Sequence, residues 1–457
     1  MPNNRNLGGV YMTDIDGQMT SGTYATSEFV CGLIFDTSIY GGLDKALSGT
    51  AAKTFANGSV VELNNSSDMK TAGIDESQMG GLPYHHINNF FTLAGKNQRL
   101  FVSFMDSTTD KSFEAIEKMQ LASNGIIYQI GLWTGVPFAV AGDGDGYDIE
   151  GDSLFSKLEV QAENLGGKAG VTNYEGNQPV NIIVNAPPLD QAEVDYKKLP
   201  DLSDLDLPKV SIMLGQPSTD AVHQIQVNLI NADSTTPHYV QVGNIGAILA
   251  CLAVAPVEDN IGAVARYNLS TVMTSCELGF GNLTLNSSKD GFADSASFNN
   301  VKTINYSSRN NSLQRKNYNF LRDYEGIEYG VFISDDMTLS NGDYRSLTRC
   351  RTIHKSRRVV RLALLPLIKE KWSVDTSTGY MTDSDLTIIQ NTVYNALDNN
   401  MVDPGTTTSQ ISGREVTIDS SQNILADDQF LISYNIVPKG YTSAIFVQEG
   451  FVTTISA

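Results

Sequence analysis

Apolar runs of strand length alternate with amphipathic stretches along the middle of the chain. LFVSFM (100–105), GIIYQIGLW (125–133) and VNIIVNAPP (180–188) are almost unbroken apolar, the pattern of strands covered on both faces. Between them, FEAIEKMQLA (113–122) and SLFSKLEVQAENL (153–165) repeat apolar positions every three or four residues, as helices do. Such alternation predicts a mostly parallel sheet. AVHQIQVNLI (221–230) reads as another strand, and VGNIGAILACLAVAPVEDNIGAV (242–264) as a buried helix pair or a helix and turn.

The flanks differ. VYMTDID (10–16) alternates like a strand but stands alone among Gly, Asn, Thr and Ser, and residues 41–80 carry turn formers with few large apolar side chains. Beyond the polar stretch NSSKDGFADSASFNN (286–300) the pattern predicts a strand in YGVFISDD (329–336), helix caps between Ser340 and Asp343, and a long helix running to Pro366 or just past it. An amphipathic helix in SDLTIIQNTVYNALDNNM (384–401) follows. The strands FLISYNIV (430–437) and SAIFVQEGF (443–451), joined by PKGY, form a hairpin or lend themselves to another chain. The expectation is an α/β protein (α+β overall), multidomain, with mixed sheets flanked by helices and extended terminal strands. Its parts are a linking arm (1–30), a loop-rich segment joining the inner part (31–81), an outer or middle domain (82–300), an inner domain (301–428) and terminal strands (429–457).

A length of 457 residues with 41% hydrophobic content supports more than one core. No run approaches a membrane span and the N-terminal residues lack the apolar core of a signal peptide, so the expected place of synthesis is a cytoplasm, without membrane insertion. Four scattered cysteines (Cys31, Cys251, Cys276, Cys350) indicate buried thiols rather than a disulfide framework or zinc site.

Charge changes the picture at one place. The formal net charge is -20, yet Arg345 to Lys371 hold nine Lys or Arg against one acid, Glu370, a local +8 that leaves -28 elsewhere. On a helix, Arg351, His354, Lys355, Arg358 and Arg361 share one stripe, with Ile353, Val360, Leu364 and Leu367 roughly opposite. The expected arrangement is a cationic ridge facing outward, either solvated with local ion pairs or docking an acidic protein. Nucleic acid is not an expected partner, because no aromatic stacking positions interleave with the arginines.

The stretch NYNFLRDYEGIEYGVFISDDMTLSNGDYRSLTRCRTIHKSRRVVRLALLPLI (317–368) resembles the C-terminal half of contractile tail sheath proteins of myophages and phage-like injection particles. VDTSTGYMTDSDLTIIQNTVYNAL and LISYNIVPKGYTSAIFVQEGF resemble the next helix and closing strands of that family, and LPYHHINNFFTLAGKNQRLFVSFM and GIIYQIGLW are similar to its upstream segments. The resemblance implies a bacterial, phage-like particle in which subunits polymerise as stacked, hexameric rings around an inner tube and contract from a metastable extended state. Its implied partners are further copies, the inner tail tube protein, and baseplate and terminator proteins. It assigns linking strands to Val10, Tyr11, Met12, Thr13, Asp14 and Ile15 and to Phe430, Ile432, Tyr434, Ile436, Ile445 and Val447, and tube or subunit contact to the basic ridge. The rival reading is a non-enzymatic acidic binding module, or another tail or capsid component, docking through that helix.

Chemical motifs are few. AGDGDGYDIEGD (141–152) places glycines at the wrong offsets for an EF-hand and Leu154 where a bidentate Glu belongs, so its acids read as a solvated turn. His85 and His86 lack a third ligand nearby, VGNIGAILA lacks G-x-G-x-x-G, and no G-x-S-x-G, H-E-x-x-H or P-loop pattern occurs. No catalytic residue, metal or cofactor is expected.

Overall fold

A computed structural model describes residues 28–95, 98–140, 147–148, 153–166, 177–187, 200–232, 240–277, 313–322, 324, 327, 330–402, 409–442 and 445. The apolar runs build one sheet. Its strands are β1 (Cys31–Asp36), β2 (Val61–Leu63), β3 (Leu100–Met105), β4 (Gln129–Trp133), β5 (Asn181–Asn185), β6 (Val210–Leu214), β7 (Tyr318–Arg322) and β8 (Phe332–Ile333). They lie in the order β8-β7-β6-β5-β4-β1-β3-β2. The six inner strands run parallel, and β2 and β8 close the two edges antiparallel.

Because side chains alternate across a strand, β1 sends Leu33 and Phe35 to one face and Ile34 to the other. The first face also carries Val102, Phe104 and Trp133 and is covered by α1 (Leu82–Ala94) and α5 (Ile245–Val254). The second carries Ile130, Leu132, Ile182 and Val184 beneath α2 (Ala115–Ala122) and α3 (Leu154–Gly166). Helix α5 reads IGAILACLAV because it is buried nearly all round. Gly246 lets it meet α1: a Cβ there would stand 2.0 Å from the His86 carbonyl oxygen.

Helix α6 (Leu347–Leu364) leads out of the sheet domain into a small C-terminal lobe. There α7 (Asp383–Leu397) packs on an antiparallel ribbon of β9 (Ile411–Ile418) and β10 (Ile432–Pro438). The lobe has two small cores, one around Val360, Val393, Leu397, Tyr434 and Ile436, the other around Met381, Leu386 and Ile389 with Trp372 and Phe430 against it.

Four expectations change. Residues 31–81 are not merely loop: CGLIFD is a central strand, fully buried between β3 and β4, and short helices follow it. AVHQIQVNLI lies in helix α4 (Asp220–Ala232), since Val222, Gln226 and Leu229 point inward at helical spacing. A boundary at 300/301 would cut the sheet, because β7 and β8 complete it beside β6. FLISYNIV pairs with ISGREVTI upstream, which leaves most of the proposed downstream partner strand, Val447 included, outside the described residues.

Candidate assembly site

Ser346 starts α6: its side chain accepts a hydrogen bond from the Arg349 N–H, 3.3 Å away. Asp336 completes the cap, its Oδ2 accepting from the Thr348 N–H at 2.8 Å and from the Thr348 hydroxyl. A carboxylate suits a helix N-terminus, but burial, followed by the neighbouring Asp335, pushes the Asp336 carboxyl up to about 7.

The expected outward ridge is not there. Arg351, His354, Lys355 and Arg358 are all buried, and only Arg361 is half-exposed. The helix runs between the sheet domain and the lobe, so both its sides are covered, and the cations find partners inside the chain. The Arg351 guanidinium donates to the carbonyls of Leu252 (3.1 Å), Ala255 (2.5 Å) and Pro256 (3.3 Å), at the C-terminal end of α5. A helix C-terminus carries unpaired carbonyls and partial negative charge, so a cation is stabilised there. Arg357 does the same for α3 through the Gly166 carbonyl. Arg358 donates to the carbonyls of Ile127 and Pro179, each at 2.8 Å, and lies 4.1 Å over the Tyr128 ring. Burial lowers the pKa of all three arginines, that of Arg357 to about 10. His354, buried beside Lys209 and Arg358, is held well below its usual value and is neutral.

Lys355 forms a buried ion pair with Glu28, the first described residue. The other Glu28 oxygen accepts from Gln410 Nε2 at 3.4 Å, next to the start of β9. Just beyond β10, at the same end of the ribbon because Ile411 pairs with Pro438, Tyr441 donates its hydroxyl to Asp336 Oδ1 at 3.2 Å, and Asn260 Nδ2 donates to the same oxygen at 2.9 Å. Sequence reasoning did not single out Glu28, Asp336, Arg357 or Tyr441. Asp336 does end the quoted YGVFISDD, and Arg357 adjoins the stripe.

Of the linking residues, Val10 to Ile15 lie outside the described residues. Tyr434 and Ile436 are buried in the lobe's own core, and Phe430 and Ile432 pack partly against it, whereas Ile445 is 82% exposed. Twelve large hydrophobics among the described residues are exposed, and eight belong to the lobe and its tail: Leu362, Tyr380, Ile388, Leu425, Leu431, Val437, Tyr441 and Ile445. Exposed apolar side chains concentrated in one part of a chain suit association. The ribbon adds two strand edges without a third strand among the described residues.

His86 is a packed core histidine: Nε2–H donates to the Val242 carbonyl at 3.0 Å and Nδ1 accepts from the Gly246 N–H at 3.4 Å. Of the acidic stretch at 141–152 only Tyr147–Asp148 is described, paired with Ala139–Val140. All four cysteines are buried and none forms a disulfide among the described residues. Among the described residues no group of three or more His, Cys, Asp or Glu is placed to hold a metal, and no helix is long and apolar enough to cross a membrane.

This architecture is the fold of contractile sheath proteins. Two solved structures match almost the whole chain at a TM-score of 0.51: the anti-feeding prophage (AFP) helical sheath in its contracted state, 11% identical, and a chain of the six-fold symmetrised AFP baseplate, 10% identical, each covering 98% of this chain and 99% of that one. The sheath complex of an extracellular contractile injection system, PVC, in its contracted state matches at 0.50 with 10% identity and 98% of each chain. A family model described as "DUF2586, C-terminal domain" matches residues 343–456. No curated protein matches.

Proposed function

We propose that this protein is the structural subunit of a contractile sheath, part of a phage tail or phage-like particle made in a bacterial cytoplasm. Copies polymerise as stacked rings around an inner tube, with baseplate and terminator proteins at the ends, and contract from a metastable extended arrangement to drive the tube through an envelope. The work comes from the free-energy difference between two packings of one subunit, so the protein needs no nucleotide, metal or catalytic group.

The single observation that carries this reading is the whole-length likeness of fold to sheath chains. The exposed apolar side chains of the lobe and the ribbon edges, which carry no third strand among the described residues, support it, because they suit strand addition by a neighbouring copy. Residues 10–15 and the sequence SAIFVQEGF (443–451), with Ile445 and Val447, are the proposed links. The stripe Arg351, His354, Lys355, Arg358 is not offered as the tube contact, since it is spent inside the chain.

Negative-stain electron microscopy of the purified protein, at low and high salt, tests the proposal. Striated hollow tubes are expected. Monodisperse monomers at every concentration and salt would instead favour a soluble binding module.

A further inference from the structure

We infer that helix α6 is the common anchor of the two chain ends: Lys355 holds the root of the N-terminal arm through Glu28, and Asp336, at the helix's first turn, holds the root of the C-terminal arm through Tyr441. The inference rests on the proposal that these ends link neighbouring copies.

Both roots meet the same rod. Glu28 and Lys355 are 4% and 5% exposed, so the chain at residue 28 is fastened by a charge pair shielded from water and salt. Through Gln410 the same carboxylate reaches the start of β9, joining the incoming arm to the ribbon's root. The outgoing chain is fastened just after β10, where Tyr441 meets the oxygen of Asp336 that Asn260 also holds. Asp336 in turn binds the Thr348 N–H and the Leu347 N–H, the latter through its carbonyl at 2.7 Å. Thr348 and Lys355 are seven residues apart, about 10 Å along a helix axis. The rod is itself fixed, by Arg351 between them and by Arg357 and Arg358 just beyond Lys355, which are fastened to the ends of α5 and α3 and to the backbone at Ile127 and Pro179.

The consequence is a path for force. A pull on one arm enters α6 within a few residues of where the other arm leaves it, and is passed to the sheet domain through three arginines. The two-stranded ribbon, which has little core to resist peeling, is bypassed.

The test uses the full chain with three variants: Tyr441→Phe, Glu28→Gln, and the reciprocal pair Glu28→Lys with Lys355→Glu. Hydrogen exchange reads the latches directly. Tyr441→Phe should speed exchange around 440–442, and Glu28→Gln around 410–411, by at least about tenfold, with β1 to β5 unchanged. Pelleting of polymers should fall in both variants, and the reciprocal pair should restore what Glu28→Gln loses, which a merely structural loss of a carboxylate would not do. Unchanged exchange in folded Tyr441→Phe overturns the latch, and faster exchange with wild-type polymer yield overturns its role as an anchor. If Glu28→Gln fails to fold, Tyr441→Phe carries both readouts. If the wild type itself never pellets, the sheath reading fails while exchange still decides whether the latches exist.

Discussion

The sheet domain and the C-terminal lobe solve burial in opposite ways. The domain sandwiches six parallel strands between helices on both faces, so its largest side chains, Trp133, Phe35, Phe104 and Phe320, have almost no exposure. The lobe sets one helix on two strands, buries few residues, and leaves Leu425, Leu431 and Ile445 about 70% exposed or more. A two-stranded ribbon is marginal alone in water. The first unit is covered on both faces by its own helices; the second leaves apolar side chains uncovered among the described residues. The two tryptophans happen to separate them, Trp133 in the domain and Trp372 in the lobe, so single-Trp variants report each region by fluorescence.

The largest effect should come from Arg351→Met. Three carbonyls at the end of α5 lose their donor, at about 1–3 kcal/mol for each buried group left unpaired. Urea unfolding followed at Trp133 should shift by about 3 kcal/mol or more, and a shift seen only at Trp372 would break the comparison.

Acid should act next, and on the domain. Burial lowers the folded pKa of His86 and His354, and the lobe beyond α6 contains no histidine. Below the unfolded value of about 6.5 the unfolded chain binds protons that the folded one refuses, so this contribution is present above that pH and is lost as pH falls, by up to about 1.4 kcal/mol per unit and group. Glu159 and Asp336, both raised to about 7, work oppositely: their contribution is full below about pH 4 and is lost as pH rises towards 7. Replacing His354 with Gln should therefore flatten the loss between pH 6.5 and 5.5 by about 1 kcal/mol, read as melting temperature at each pH. An unchanged slope would show that His354 does not titrate on unfolding in that window.

Smaller effects sharpen the contrast. Arg99→Ala removes the exposed pair with Glu62 on the domain surface and should cost less than about 1 kcal/mol. Leu425→Ser with Leu431→Ser should leave both fluorescence transitions of the monomer where they were, yet reduce pelletable polymer. A clear loss of monomer stability would mean that these side chains already pack within the lobe.

The sequence made the doubly covered strands legible because a buried parallel strand has no polar face to confuse the pattern. CGLIFD escaped because a six-residue run sits among glycines and small polar residues, so only its neighbours in space identify it as central. AVHQIQVNLI escaped because its inward helical set includes Gln226, which is buried by donating to the Val240 carbonyl at 2.6 Å rather than by being apolar. The stripe on α6 was found, but spacing reports which residues share a face, not what lies opposite. Carbonyl oxygens at helix ends leave no mark in a one-letter code. A usable signal was present in Thr348, Thr352 and Ser356, small residues at four-residue intervals, all buried, which let a neighbouring element approach the helix closely.

Strand order also bears on when the proposed association surface first exists. β7 joins the sheet beside β6 although roughly a hundred residues separate them in the chain, so the sheet cannot close until residue 322 has been synthesised. At ~5–20 residues per second this delays closure by roughly 5–20 s after β6 emerges. The apolar lobe comes later still, appearing from the ribosome only when the domain that must carry it has all its strands. Under the proposed function, translation order thus acts as a timer that keeps the associating part of the molecule from existing before the sheet that carries it does.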